Sequence, residues 1–340
     1  MTAVAGTDPR NFIRDLTRSP SGRLLQNALE NRWPTTPDRL STIVRYALLP
    51  AGKMLRPIMT LESAAAVGGD PAPVLPAALA MEYLHVATLV HDDIIDADEV
   101  RRGRPAVPTA FGLPDAIVTG DHLIFCAFAS IVECGAGGVP ADRVATAVGA
   151  LAAAGNDMCR GQILESELVG DPDTGVERYL EMVRLKTGAL FRAVCHVGAA
   201  LGGADEEGAA QLAGYGEQLG IAFQIRDDLL SYTTVAQSIG KSTTSDLSNG
   251  RPTLPLLLAH QAASPQVRAR LTAALRGHRA DPATVAEVQR ILADTAALDR
   301  TRDCLVGHAG QARDRLAGLP PSTSAALLDA VARWAAAHRW

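Results

Sequence analysis

Aromatic residues make up only 4% of this 340-residue chain, and its five cysteines, Cys126, Cys134, Cys159, Cys195 and Cys304, are scattered. An odd number without CxxC spacing excludes a zinc ribbon, a dithiol redox centre and a disulfide scaffold, and points to a reducing cytoplasm. Neither sign of charge dominates: 32 Lys and Arg against 37 Asp and Glu leave a net charge of -5. Nothing in that balance calls for a nucleic-acid partner or a polybasic membrane anchor. The first residues, Met1 to Asp8, lack a basic stretch followed by an apolar one. No uninterrupted apolar run approaches the roughly 18 residues of a membrane span, so neither a signal peptide nor an integral membrane segment is expected. The 47% of hydrophobic residues that is present excludes disorder and supplies a large core.

Those hydrophobic residues lie in Ala/Leu/Val-rich stretches of helical length, separated by Gly, Pro and Asp, with almost no alternating β-branched runs. The fold class read from this pattern is all-α. A Gly68-Gly69-Asp70-Pro71 turn precedes a helix that starts near Pro76 and runs uninterrupted from Ala77 to Val100. Further helices are expected over Ala141 to Glu167, Val176 to Leu201, Glu206 to Ser231 and Thr253 to Ala262. A last one follows Pro320-Pro321-Ser322 and ends near Trp340, and a loop spans Gly240 to Pro252. No repeat, linker or shift of composition divides the chain, which reads as a single domain over residues 1–340.

The chemistry begins at Asp92-Asp93-Ile94-Ile95-Asp96, because residues four apart share a helix face and Asp92 and Asp96 therefore point the same way. Asp98 and Glu99 follow, so this helix end needs cations. Mg²⁺ fits, since it takes one or two carboxylates and completes its octahedron with water and phosphate oxygens. A solvated acidic helix end is the plain alternative. A second pair, Asp227-Asp228, follows the apolar run Ile221-Ala222-Phe223-Gln224-Ile225. Basic residues accompany both: Arg101, Arg102 and Arg104 after the first, and Lys241 and Arg251 after the second. Lys53 with Arg56, and Lys186 with Thr187, interrupt otherwise apolar surroundings. Cations beside magnesium-binding acids are what a diphosphate requires. Gly240-Lys241-Ser242 imitates the end of a P-loop, but the position that needs glycine is Val235, which argues against an ATPase.

From Leu48 to Leu258 the chain resembles the trans-isoprenyl diphosphate synthase (polyprenyl synthetase) family. The motifs are Gly52 to Pro57, Glu82 to Arg104, Lys186-Thr187, Phe223 to Asp228, and Gly250 to Pro255, in that order. The resemblance implies a single large helical bundle around a central cavity, the isoprenoid synthase type I fold, usually as a homodimer. By the same resemblance Asp92 and Asp96 hold two Mg²⁺ ions and Asp227 a third, with the diphosphate of an allylic substrate. Arg101, Lys186, Thr187, Gln224 and Lys241 grip that diphosphate, and Lys53, Arg56, His85 and Arg102 bind isopentenyl diphosphate. Asp92, Asp96, Lys186 and Asp227 are the catalytic set. His85 alone would read as a core histidine, and His91, His122 and His196, which lack basic company, are taken as structural. Thr187 could equally back-bond in its helix, and Gln224 could be a buried amide.

The chain departs from the family pattern at Ser231, where the second motif usually ends in a third aspartate, and a hydroxyl is a poor Mg²⁺ ligand. Ala51, Met54, Thr244 and Arg251 are lesser departures. Small residues before Asp92, namely Ala87 and Thr88 with Leu84 a turn earlier, and the absence of a two-residue insertion in the first motif lean toward products of C20 or longer. Phe125 or Phe128 could set the floor of the product tunnel instead. Two rivals remain: a class I terpene cyclase, which needs no second diphosphate pocket, and a non-catalytic regulatory subunit, which would lose the first motif.

Overall fold

A computed structural model describes residues 9–35, 37–232, 245–277 and 280–337. The described chain is almost entirely helical, as expected. It divides into two compact units. Unit one comprises Met1–Ala152, Ala193–Ala213 and Gly318–Ala330; unit two comprises Ala153–Arg192, Gly214–Ala317 and Val331–Trp340.

In unit one, α1 (Pro9–Thr17), α2 (Pro20–Arg32), α3 (Arg39–Leu48) and α4 (Leu55–Ala66) lead to α5 (Leu75–Ile95). Ser19 caps α2 by accepting from the backbone N–H of Gly22, with Pro20 at the first helical position, where its missing donor is harmless. Helices α4 and α5 are the core: ten of the twelve residues of α4 are buried. A short hairpin, β1 (Val100–Arg101) with β2 (Arg104–Pro105), follows α5. Then come α6 (Val107–Phe111), α7 (Leu113–Glu133), which packs extensively on α5, and the start of α8 (Ala141–Leu168).

Unit two takes the rest of α8, then α9 (Gly175–Val183), a π-helical turn at Arg184–Gly188, and α10 (Ala189–Gly202). After α11 (Glu206–Leu230) come a short α12 (Ser245–Ser248), α13 (Leu254–Ala262), α14 (Pro265–Arg276), α15 (Pro282–Asp294), α16 (Ala297–Asp314) and α17 (Thr323–Ala336). The core of unit two gathers Tyr179 and Val183 from α9, Ile221 to Leu229 from α11, Leu254 to Ala259 from α13, and Leu305 and Ala309 from α16. Four of the five unit boundaries fall inside α8, α10, α11 and α17, and the fifth, at Ala317–Gly318, falls between α16 and α17.

One expectation needs correcting, and two features were not foreseen. The helix expected to reach Val100 ends at Ile95, because Ala97 turns left-handed with φ 53°. The N–H groups of Ala97 and Asp98 return to the carbonyls of Ile94 (3.3 Å) and Asp93 (2.9 Å), which is a Schellman motif built without glycine. The hairpin after it was not expected at all; Arg102 (φ 53°) and Gly103 (φ 75°) supply the two positive angles of its tight turn. Finally, α7 and the stretch Ala72–Ile95 are each long and apolar enough by length and composition to cross a membrane, although no uninterrupted run is. Charges such as Glu82 and Asp121 are averaged out over such a window. The Ala72–Ile95 stretch has 67% of its apolar window buried and serves as a core helix. Lys241 and the expected end near Trp340 lie outside the described residues.

Candidate functional site

In unit one the chemistry gathers at the carboxyl end of α5. Asp92 and Asp96 are one turn apart and half-buried, and Asp96 is the capping residue, its N–H donating to the Asp92 carbonyl at 2.8 Å. Carboxylates at a helix carboxyl terminus face the negative end of the helix dipole. That placement stabilises no anion and leaves the pair suited to a hard cation. Between them Asp93 points inward, 3% exposed, and accepts from Arg101 Nε at 2.6 Å. Arg101 also donates to Asp98 at 3.0 Å. Burial pushes the Asp93 carboxyl up from its ordinary value, and the Arg101 guanidinium opposes the shift. Arg101, expected only to grip a substrate, thus also neutralises a buried acid, and the β1–β2 hairpin turns it back onto α5.

A second cluster lies further up α5. A Cβ on Gly52 would stand 2.7 Å from the Arg102 guanidinium, so Arg102 lies over the segment that carries Lys53 and Arg56. His85 is held well below its ordinary pKa by burial and by Arg56, Arg102 and Arg101, and is therefore a neutral imidazole among cations. Glu82, 3% exposed, is the acid of this cluster; burial raises its pKa while Arg56 and Arg102 pull it down. Lys53 is exposed at the lip of the same segment. Glu82 was not singled out from the sequence, although it stands three residues before His85 and hence on the same helix face.

Along α5, Leu84 and Ala87 are fully within the core, and Thr88 turns its hydroxyl to the His85 carbonyl at 2.8 Å. Phe125 on α7 is 72% exposed, so it is no floor for anything inside unit one; Phe128 is half-buried. His91 and His122 have structural company, the first near Asp121 (3.6 Å) and the second against Cys126 (3.4 Å) and Trp33.

In unit two, Lys186 and Thr187 sit in the π-helical turn between α9 and α10, a distortion that re-aims side chains and is frequent at functional sites. Gly161 of α8 lets this turn approach: a Cβ there would lie 2.4 Å from the Lys186 backbone nitrogen. Lys186 pairs with Glu165 at 2.5 Å, and Arg251 lies 4.0 Å from the same carboxylate. Thr187 donates to Gln224 Oε1 at 3.0 Å, and Gln224 Nε2 donates to Asp228 at 2.9 Å. Asp228 is 6% exposed and also receives the Tyr179 hydroxyl at 2.6 Å. Burial and the nearby Asp246 push its carboxyl up to about 7 against those donors. Asp227, its neighbour, is half-buried, and Ser231 donates weakly to the Asp227 backbone carbonyl at 3.4 Å. Arg226 stacks 3.9 Å over the Trp334 ring, tying α11 to α17. Glu165 and Tyr179 are functional-site neighbours that the sequence reading passed over, and Asp228 was read only as the partner of Asp227.

Two aspartate motifs, a cationic cluster around a neutral histidine, and a lysine–threonine turn thus all occur in one almost entirely helical chain. Residues 37–293 match the family described as Polyprenyl synthetase. The chain belongs to that family. It is a prenyltransferase, and its fold is the all-α isoprenoid synthase fold. The "short chain isoprenyl diphosphate synthase" of Methanothermobacter thermautotrophicus is 34% identical over 320 residues, covering 94% of this chain and 97% of that relative. Among solved structures, geranylgeranyl pyrophosphate synthetase from Pyrococcus horikoshii superposes with a TM-score of 0.88 at 30% identity, covering 97% of this chain and 99% of that one. A Caulobacter crescentus polyprenyl synthase, crystallised with calcium and isoprenyl diphosphate, gives a TM-score of 0.86 at 29% identity, covering 96% and 98%.

Proposed function

We propose that this enzyme condenses isopentenyl diphosphate with an allylic prenyl diphosphate to give an all-trans polyprenyl diphosphate of C20 or longer. The observation that carries the proposal is the cluster of Arg56, His85 and Arg102. Two guanidiniums converge on a histidine kept neutral and on one buried acid, Glu82. Such an excess of positive charge calls for an anion, and it lies apart from the acids at the end of α5, which call for a cation. A terpene cyclase needs only the latter. The intact first aspartate motif separates the chain from a regulatory subunit.

Asp92 and Asp96 would hold two Mg²⁺ ions and Asp227 a third. Among the described residues no three His, Cys, Asp or Glu side chains close a protein-only metal site. That fits Mg²⁺, which draws most of its ligands from water and phosphate oxygens. When bound, the metal supplies charge neutralisation for the diphosphate leaving group. Arg101, Lys186, Gln224 and Lys241 would bind and orient the allylic diphosphate, with Thr187 contributing through Gln224, and Lys53, Arg56, His85 and Arg102 would hold isopentenyl diphosphate. The allylic C–O bond breaks with its electron pair leaving on the diphosphate. The double bond of isopentenyl diphosphate supplies the electrons of the new C–C bond, and the proton then lost goes to the departing diphosphate, so no side chain is needed as base. The apolar core residues Leu84 and Ala87 keep water from the cationic carbon. Small side chains at Ala87 and Thr88 favour the longer product.

The chain acts as one domain, which the unit boundaries support, since four of the five fall within continuous helices. It works as a homodimer through the outer face of α7, where Val118, Phe125 and Val132 recur every seven residues and are all exposed. We place it in the cytoplasm, where its five free thiols remain reduced.

The test is steady-state kinetics of Arg102→Gln. Its KM for isopentenyl diphosphate should rise roughly tenfold or more, with the allylic KM within about twofold, because one charge-assisted contact to a phosphate is lost. Hydrocarbon formed without isopentenyl diphosphate would make the chain a cyclase instead.

A further inference from the structure

We propose that Asp228 and Tyr179 are positioning residues that fix which way the Gln224 amide faces, and that Thr187 serves Gln224 rather than the substrate. The inference rests on the reading above that this part of unit two binds the allylic diphosphate.

An amide side chain has a donor end and an acceptor end of nearly the same shape, and only its surroundings decide which goes where. Here the decision starts at Tyr179, 2% exposed, whose hydroxyl donates to Asp228 Oδ2 at 2.6 Å. Burial and the neighbouring carboxylate hold the Tyr179 phenol well above its ordinary pKa, so it stays a donor. The Leu254 N–H, at the amino end of α13, points to the same oxygen at 3.4 Å. Asp228 Oδ2 thus accepts from both, at the positive end of a helix dipole. Its other oxygen, Oδ1, accepts from Gln224 Nε2 at 2.9 Å, which turns Gln224 Oε1 toward Thr187. The Thr187 hydroxyl proton is then used on that oxygen at 3.0 Å.

The consequence follows from counting hydrogens. Gln224 Nε2 carries two, and one is committed to Asp228. The second remains for an anion. Thr187 has one, committed to Gln224, so its hydroxyl has only lone pairs to show a phosphate. With Asp228 unable to accept, the amide would be free to turn over and present its oxygen to the diphosphate, which repels it. The chain Tyr179–Asp228–Gln224–Thr187 therefore presets one N–H toward the anion before substrate arrives, an instance of pre-organisation.

The experiment is a kinetic cycle on the full chain with Mg²⁺, isopentenyl diphosphate and the best allylic substrate. It is paired with calorimetric binding of inorganic diphosphate in the presence of Mg²⁺. Asp228→Asn should raise the allylic KM and the diphosphate Kd by roughly tenfold while leaving the isopentenyl diphosphate KM within about twofold. Tyr179→Phe, which keeps the ring and loses only the hydroxyl, should shift the same quantities by about threefold and decides the matter if Asp228→Asn does not fold. Thr187→Val should weaken binding and Thr187→Ser restore it. In a Gln224→Ala background Asp228→Asn should have no further effect, since it acts through that amide. Additive effects, equal shifts in both substrate KM values, or an unchanged diphosphate Kd would overturn the inference. A wild-type chain that elongates no allylic substrate would overturn the proposed function, and the calorimetric cycle would still decide this one.

Discussion

Each aspartate motif contains one buried acid, and the two are kept by different means. In the first, Asp93 is held by a cation, Arg101. In the second, Asp228 is held by neutral donors, the Tyr179 hydroxyl, the Gln224 amide and the Leu254 N–H. Both are desolvated, Asp228 the more completely and with Asp246 nearby, and its carboxyl is driven up to about 7. A guanidinium compensates a buried charge directly, whereas neutral dipoles do so in part. The lesson concerns the acids next door. Asp92, Asp96 and Asp227 are half-buried and have a neighbour that folds inward, so the buried member of each motif is structural support for the outward members proposed to hold metal.

The largest effect should come from the outward acids of both motifs. Asp92→Ala and Asp227→Ala should each lower kcat by about 10²–10³-fold or more, with little loss of melting temperature, measured by turnover and thermal unfolding. Equal loss of stability in these variants would contradict the division between outward and inward acids. Next, Arg101→Ala leaves Asp93 buried without its cation and should destabilise the folded state by about 2–3 kcal/mol, the usual penalty reduced because Arg101 reaches solvent. Tyr179→Phe, which removes one of three neutral donors, should cost only about 1 kcal/mol. Chemical denaturation of both variants puts the two modes of support side by side, and a larger effect for Tyr179→Phe would reverse the contrast.

In the first region a pH effect of similar size comes from His85. His85 is held well below its ordinary value in the folded chain, so the folded state binds fewer protons than the unfolded one once the pH falls below about 6.5. Stability present above that pH is lost as pH falls toward the lowered value. Between pH 7.5 and 5.5 this amounts to about 1 kcal/mol from His85, and His85→Gln should flatten the urea-unfolding profile by that amount. The smallest change is at Ala97, whose left-handed φ of 53° ends α5. Ala97→Gly should raise stability by about 0.5–1 kcal/mol without altering turnover.

Much of this was legible in the sequence, for local reasons. Asp92 and Asp96 share a face because helix period fixes it, and the starts of α8 and α11 lie where they were read. The end of α5 was not legible, because Ala97 takes a conformation that glycine normally advertises. Asp93 and Arg101 are eight residues apart, and only the unforeseen hairpin brings them together. Tyr179 and Asp228 lie 49 residues apart on separate helices, a tertiary contact with no local signature. Phe125 was one of two candidates for the floor of the product tunnel, yet the rotation of α7 turns it outward. The π-helical turn that aims Lys186 is equally silent, since Arg184–Gly188 continues the helical pattern.

The most direct measurement is turnover of the purified chain with Mg²⁺, labelled isopentenyl diphosphate, and dimethylallyl, geranyl, farnesyl or geranylgeranyl diphosphate in turn. Labelled diphosphates of C20 or longer are the expected products. Release of hydrocarbon in the absence of isopentenyl diphosphate, or elongation that stops at C15, would contradict the assignment.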